Sequence, residues 1–408
     1  MTTPDSLPRR RLLRAGALAG AGVGIGAGAG ALGARALDER AAPEPEEVLH
    51  GQGVIPFHGP HQAGIETPAP AHATFLGLDL REETDRDGVL RLLRVLTADA
   101  ARLTGGHAPL ADTEPELAAV PARLTVTAGF GPGLLARAGR ETPPWLAPLP
   151  AFPIDALDPA YCDGDLMLQV AADDPLALAH AVRMLLKGAR SSMRLRWLQQ
   201  GFRRAHGAVP SGTTMRNLFG QVDGTANPRP GTEPFARTVW IEDGPFAGGT
   251  SMVIRRIRMD VDGWDELDRS GREESLGRRL ADGSPLTGTA EHDEPDFSAT
   301  SAHGFPVIGE FTHVRRARGV DAADGGQSIF RRSYNYDLAP DPAAGGISES
   351  GQVFVSFQAD PLAQFVPIQQ RLAELDLMNE WTTPIGSAVF AIPPGAAQGE
   401  FLGQSVLE

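Results

Sequence analysis

The 408-residue chain holds a single cysteine, Cys162. One thiol cannot close an intrachain disulfide, so packing has to hold the fold even if the protein is exported. Positive charge is also scarce: 37 lysines and arginines stand against 51 aspartates and glutamates, a formal net charge of -14. That balance argues against nucleic acid as the main partner, because phosphate binding needs a clustered basic surface. The spacings C-x-x-C and H-E-x-x-H and the EF-hand loop do not occur, so zinc and calcium centres lack support. A G-x-S-x-G elbow for a serine nucleophile is missing too. The run GAGVGIGAG at 20–28 imitates a nucleotide-binding loop, but nothing strand-like precedes it, which removes a dinucleotide site.

With 42% hydrophobic and 22% charged residues, the chain is long and apolar enough for a sizeable core, or for two domains sharing one. Its start reads as an export signal. Arg9, Arg10 and Arg11 lead into Leu12, Leu13 and Arg14, then into an uncharged Gly/Ala stretch ending at Ala34-Arg35-Ala36. Basic region, apolar region and small-x-small cleavage site follow in order, and R-R-x-L-L-R resembles the twin-arginine signal over residues 1–36. The alternative is a membrane anchor, which the weakly apolar Gly/Ala content disfavours, so no stable membrane span is expected after processing. Residues 37–50 are acidic, proline-bearing and without apolar period, and read as a linker.

From residue 51 the pattern alternates between strand and helix. ATFLGLDL sets Leu76, Leu78 and Leu80 on one face of a strand, and Thr84 with Asp87 resembles a capping box opening a helix with Val89, Leu92, Leu93 and Leu96. RLTVTAGFG and DLMLQVAADD are further strands, Asp174-Pro175 starts the helix LALAHAVRMLLKG, and MRLRWLQQGF closes the set. The order β-α-β-β-α-β is the split-βαβ, ferredoxin-like arrangement. A similar series recurs from residue 236: TVWIED and TSMVIRRIRM as strands, a polar helical stretch from Gly263, a long loop, the strand GQVFVSFQ, a helix from Pro361 to about Glu380, and the strand SAVFAI. The expectation is an α+β protein of two ferredoxin-like domains, 51–225 and 226–408, with antiparallel sheets and peripheral helices. Two copies of one unit and one double-length sheet sandwich both fit.

Three stretches carry candidate chemistry. GQVDGTANPRP at 220–230 sets one carboxylate, Asp223, between Gly220 and Gly224 on a rigid turn. EFTHVRRARG places His313 beside Arg315, Arg316 and Arg318, and SIFRRSYNYD puts Arg331 and Arg332 before Ser333, Tyr334 and Tyr336. Each is weak alone, since Asp-Gly is a common turn and one histidine among ten is as a rule a solvated or core residue. Together they offer an imidazole able to ligate haem iron, an acid on a rigid turn, and an arginine 18 residues beyond the imidazole.

GQVDG fits the G-x-x-D-G motif of the dye-decolourising peroxidases, and FTHVRRA and IFRRSYNY resemble that family's proximal-histidine and distal-arginine segments. GPHQAGIETP, LTVTAGFGPGLL, LPAFPIDALDP, GRRLADGSPLTG and FVPIQQRLAELDLMNEW extend the likeness over about residues 50–400, and the leader is similar to that of the secreted bacterial branch. The resemblance implies two ferredoxin-like domains with haem b in the second, hydrogen peroxide as oxidant, and oxidation of aromatic or phenolic small molecules and dyes through a ferryl intermediate. It implies His313 as axial ligand to the iron, Asp223 as proton shuttle and Arg331 as fixed positive charge. Asp376 stands for the acid behind the ligand, or is a solvated helix carboxylate; Gly224, Thr225, Phe354 and Phe357 are expected around the cofactor. Pro384 occupies a position where relatives often carry a histidine, so Arg315 is a substitute contact for the haem carboxylates, or is solvated. Tyr334, Tyr336 and Trp381 either pass electrons from bulky dyes at the surface or are core and rim aromatics. Removal of iron from haem, as in deferrochelatase-like relatives, and haem delivery with little turnover are the alternative functions.

The leader generates a direct test. Replacing Arg9 and Arg10 together by lysine should leave unprocessed protein in the cytoplasm, because the twin-arginine pathway reads the arginine pair rather than its charge. Normal processing of the double variant in a cell-fractionation assay would refute the export signal.

Overall fold

The computed structural model describes residues 49–319, 327–340, 343 and 346–408. The export signal at 1–36 and nearly all of the linker lie outside the described residues. The first half runs β1 (His72–Leu80), α1 (Arg86–Thr104), β2 (Thr125–Phe130), α2 (Pro132–Arg137), β3 (Leu166–Ala172), α3 (Pro175–Ala189) and β4 (Met193–Phe202). Its strands lie in the order β2-β3-β1-β4, all neighbours antiparallel, as a split-βαβ unit requires. Asp174 caps α3 by accepting a 2.8 Å hydrogen bond from Ala177 N, with Pro175 in the first turn. The cap of α1 differs from the expected Thr84 box. Asp85 accepts from Gly88 N at 2.8 Å, while the buried Thr84 hydroxyl donates to Ser192 O at 2.9 Å.

A short hairpin, β5 (Met215–Arg216) with β6 (Val222–Asp223), leads into the second half. There follow α4 (Glu233–Val239), β7 (Thr250–Met259), α5 (Val261–Asp265), α6 (Arg269–Leu276), α7 (His313–Arg318), β8 (Phe330–Arg331), β9 (Tyr334–Leu338), β10 (Glu349–Gln358), α8 (Phe365–Leu375) and β11 (Thr382–Ile392). The order β9-β10-β7-β11 repeats that of the first half. Two expectations are corrected here. TVWIED contributes no strand: Thr232 and Pro234 start a helix that runs through Val239, with Phe235 and Val239, four residues apart, both buried. The helix expected from Pro361 to about Glu380 spans Phe365–Leu375 and stops at Asp376, whose extended backbone and side-chain bond to Met378 N divert the chain into a single 3-10 turn, Leu377–Glu380.

The two four-stranded sheets join edge to edge, β11 to β2 at Ala391–Phe130 and β4 to β9 at Phe202–Asn335, which closes an eight-stranded ring. Strand alternation then makes two cores. Ala73 and Phe75 of β1 point into the ring, with Trp197, Tyr334, Tyr336, Phe357 and Phe390. Leu76, Leu78 and Leu80 point outward, where they pack with the apolar faces of α1 and α3. The second strand of the C-terminal unit is broken: β8 and β9 both pair with β10, but Arg332 and Ser333 interrupt them. The Arg332 guanidinium is buried and donates to the carbonyls of Ile65 and Thr67, so the break is tied to the segment that precedes β1. Among the described residues no helix is long and apolar enough to cross a membrane.

Candidate active site

On the outer face of β7 and β10 the period of two brings Arg255, Ile257 and Met259 into line beside Gln352 and Phe354. Residues of α7 and α8, among them His313, Val314, Ile368 and Leu372, complete a cavity of about 640 Å³. That volume and its largely apolar wall are those of a site for a large organic ligand.

His313 is the first residue of α7. Its Nδ1 lies 2.6 Å from Oδ2 of Asp376, at the end of α8, and Oδ1 of that carboxylate accepts from Met378 N at 3.0 Å. The Asp376 side chain is 3% exposed and that of His313 is 32% exposed, to the cavity. A carboxylate accepts only, so Nδ1 carries the proton and the Nε2 lone pair is left free to bind a metal. Burial disfavours the charged imidazole, but the Asp376 carboxylate, through charge and hydrogen bond, outweighs it and holds the pKa above the ordinary value. Occupation of Nε2 by a metal therefore displaces a proton when the pH lies below that raised value.

The strand side of the cavity carries the complementary set. Asp223 ends β6, where Gly224 takes a φ of +127° that an L side chain rarely adopts. Asp223 Oδ1 lies 2.9 Å from the Arg331 guanidinium, and Oδ2 accepts from Gln352 Nε2 at 2.7 Å. Asn227 clamps the backbone of Arg331 from both sides: its Nδ2 donates to Arg331 O at 2.7 Å, and its Oδ1 accepts from Arg331 N at 3.0 Å. The turn bearing the acid and the strand bearing the arginine are thus one unit. Thr225 also lines the cavity, and its hydroxyl donates to Glu291 at 3.0 Å.

The sequence candidates separate accordingly. Asp223, Gly224, Thr225, His313, Arg331, Phe354 and Asp376 converge on this cavity. Phe357 does not: three residues beyond Phe354 on a strand it faces the other way, into the ring, and is fully buried. Arg315 does not either. Two residues on from His313 it leaves α7 on another face, donates to the carbonyls of Phe297 and Ile308, and borders a separate small cavity. Tyr334 and Tyr336 are core residues of the ring, Tyr334 donating to Pro70 O at 3.1 Å. Trp381 is half-buried and meets Trp264 edge to face at 5.2 Å; Trp264 stacks on Phe219 at 4.6 Å, and Phe219 lines the cavity. Gln352 and Asn227 escaped the sequence reading. Gln352 lies two residues before Phe354 on the same strand face, and Asn227 lies in the GQVDGTAN stretch itself, so spacing could have found both.

The model for the N-terminal part of Dyp-type peroxidases matches residues 62–203, and that for the C-terminal part matches 214–397. The chain belongs to the Dyp-type peroxidase family. Like its family, it is a haem peroxidase. It is 40% identical to a dye-decolorizing peroxidase of Thermobifida fusca over 91% of this chain and 89% of that one. A deferrochelatase of Yersinia pestis is 34% identical over 86% and 85% of the two chains. The crystal structure of a DyP-type peroxidase from Cellulomonas bogoriensis superposes with a TM-score of 0.84 at 55% identity, covering 88% of this chain and 100% of that chain. One from Streptomyces coelicolor gives 0.83 at 40% identity, over 88% and 98%. These peroxidases share the ferredoxin-like α+β architecture described above.

If the His313 imidazole is oriented by Asp376, the peroxidase variant Asp376→Asn should still fold but release its haem about 10–100 times faster, the usual cost of removing a carboxylate behind a ligating histidine. Transfer of haem to excess apomyoglobin, followed at the Soret band, measures this; unchanged retention would remove Asp376 from the site.

Proposed function

We propose that the cavity holds haem b through His313 Nε2 and that Asp223 and Arg331 serve the cleavage of hydrogen peroxide on the strand side. The observation that carries this reading is the convergence of two hydrogen-bonded sets on one cavity, His313–Asp376 from the helices and Asp223–Arg331–Gln352 from the strands. The residues fit the group: one imidazole nitrogen is free, its other N–H is held by a buried acid, and Ile257, Phe354 and Leu372 give apolar walls for a flat macrocycle. Haem there supplies an iron that delivers electrons to peroxide.

The protein then has a proton to move. Asp223 would take a proton from one peroxide oxygen and return it to the other, which would leave as water. Arg331 offers fixed positive charge where the O–O bond becomes polarised, in a site whose donors are already oriented. Gln352 and Asn227 hold the two groups in register, so little reorganisation is needed at the moment of reaction. Aromatic and phenolic compounds, dyes included, are the proposed reductants, and a location outside the cytoplasm is proposed from the likeness of residues 1–36 to a twin-arginine leader.

Peroxide added to the haem-loaded chain together with an anthraquinone dye tests the reading. Dye bleaching is expected, whereas release of iron-free porphyrin without bleaching would favour the deferrochelatase activity for which the Yersinia relative is named. Asp223→Asn and Arg331→Leu should each slow peroxide consumption by about 10²–10⁴-fold with haem still bound. Native rates in both variants would remove the proposed roles.

Bulky dyes are proposed to give their electrons at the surface near Trp381 rather than inside the cavity. The aromatic series Trp381, Trp264 and Phe219 runs from a half-buried position to the cavity wall, while Tyr334 and Tyr336 are enclosed in the ring. Trp381→Phe should therefore reduce bleaching of a large dye several-fold, on the order of a 1 kcal/mol barrier change, and leave peroxide consumption with a small phenol unchanged. Equal bleaching by variant and native enzyme would return dye oxidation to the cavity mouth.

A further inference from the structure

A second, smaller cavity lies against the other face of α7. It measures about 130 Å³ and is lined by Glu310, Arg315, Arg316, Gly319 and Arg371. The phase of the helix keeps the two cavities apart. Val314, Ala317 and Arg318 line the larger one with His313, while Arg315, Arg316 and Gly319 line the smaller. Three guanidiniums thus meet at one place in a chain whose formal net charge is -14.

Neutral acceptors fix these side chains. Arg315 Nη1 donates to the carbonyls of Phe297 at 3.1 Å and Ile308 at 3.0 Å. Arg316 Nε donates to Arg371 O at 2.9 Å, Arg371 Nε returns a bond to Arg316 O at 3.1 Å, and Arg371 Nη2 reaches Ala317 O at 3.0 Å. A carbonyl orients a guanidinium but does not cancel its charge. Among the described residues one carboxylate pairs with the group: Glu374, 2.8 Å from Arg316 Nη2, with a side chain 69% exposed, where an ion pair is weak. Glu310 lines the cavity too, but it is exposed and makes no ion pair among the described residues.

Donors remain. Nε and Nη2 of Arg315 and Nη1 of Arg316 have no hydrogen-bond partner among the described residues, and both side chains are half-buried rather than sealed. Burial, and after it the charge of Arg316, holds the Arg371 guanidinium below its ordinary pKa, as expected of cations that lack counterions.

We infer that this cavity is a binding site for a small oxyanion, such as phosphate or sulfate. Arg315 and Arg316 would supply charge-assisted hydrogen bonds, and Arg371 would add charge while it holds the carbonyls at the end of α7. The volume suits an ion of that size and is well below the roughly 300 Å³ at which sites for larger organic ligands begin. The oxyanion is a free ion, or the terminal group of a molecule whose remainder stays outside. The site does not depend on what fills the larger cavity.

The test is calorimetric titration of the haem-loaded protein with inorganic phosphate, against chloride at matched ionic strength. Saturable binding of one equivalent is expected. Arg315→Gln should weaken it about tenfold, the scale of one hydrogen bond to a charged group. Glu310→Gln should tighten it about two- to fivefold, because it removes an exposed negative charge from the cavity wall. Arg315 also holds two carbonyls, so should Arg315→Gln fail to fold, the Glu310 variant, which breaks no ion pair, carries the test. Phenyl phosphate in place of phosphate separates the sources, since equal or tighter binding identifies a terminal group and about tenfold weaker binding a free ion. No saturable phosphate binding by the native protein, or unchanged affinity in either folded variant, would overturn the assignment.

Discussion

A hydrogen bond of 2.6 Å between residues 63 positions apart, His313 and Asp376, governs the rest of this structure. It fixes the tautomer of the imidazole, and with it which nitrogen faces the cavity. It also constrains the chain on both sides. α8 has to end at Leu375 so that Asp376 can turn inward, and the 3-10 turn after it exists because the same carboxylate accepts from Met378 N. Neither partner is comfortable alone: a carboxylate 3% exposed needs a donor, and an imidazole of raised pKa needs the carboxylate.

The strand side obeys a second constraint, that the Asp223 carboxylate and the Arg331 guanidinium keep a constant separation. A hairpin turn and a two-residue strand are poor supports for this, since neither has an extended ladder behind it. The Asn227 amide replaces the missing ladder by giving Arg331 the donor and acceptor that a neighbouring strand would have supplied. Beyond the arginine, buried Arg332 ties the same break to the segment before β1, so the site is braced by both halves of the ring. The interruption of the strand frees Arg331 from a regular pairing pattern, and the side-chain network restores the rigidity that the interruption removes.

Strands with clean alternation were legible from the residues. Leu76, Leu78 and Leu80 share a face as expected, and the strand and helix order of the first half follows the pattern read from it. The misreadings arose where a local polar group overrides periodicity. Thr232 and Pro234 start a helix that takes in the first two residues of TVWIED, and Asp376 cuts a helix whose apolar period runs on. In the site, short motifs carried His313, Asp223 and Arg331, but the face on which a side chain leaves its element decided Phe357 and Arg315, and a sequence motif does not encode that unless the strand phase or helix phase is counted.

The same geometry bears on whether this family member consumes peroxide or strips iron from haem. Removing iron demands that the axial bond break and that protons take the metal's place on the macrocycle nitrogens. With His313 as the proposed ligand, Asp376 would oppose the first requirement, because a carboxylate behind an imidazole raises its basicity and strengthens its hold on a metal. The second requirement needs a donor of protons toward the centre of the macrocycle, whereas Asp223 is tied at both oxygens, by Arg331 and by Gln352. In the proposed placement of haem, an imidazole backed by a buried carboxylate and a pre-oriented Asp223 would suit repeated turnover of a small oxidant, and iron release would require the His313–Asp376 bond to be lost first.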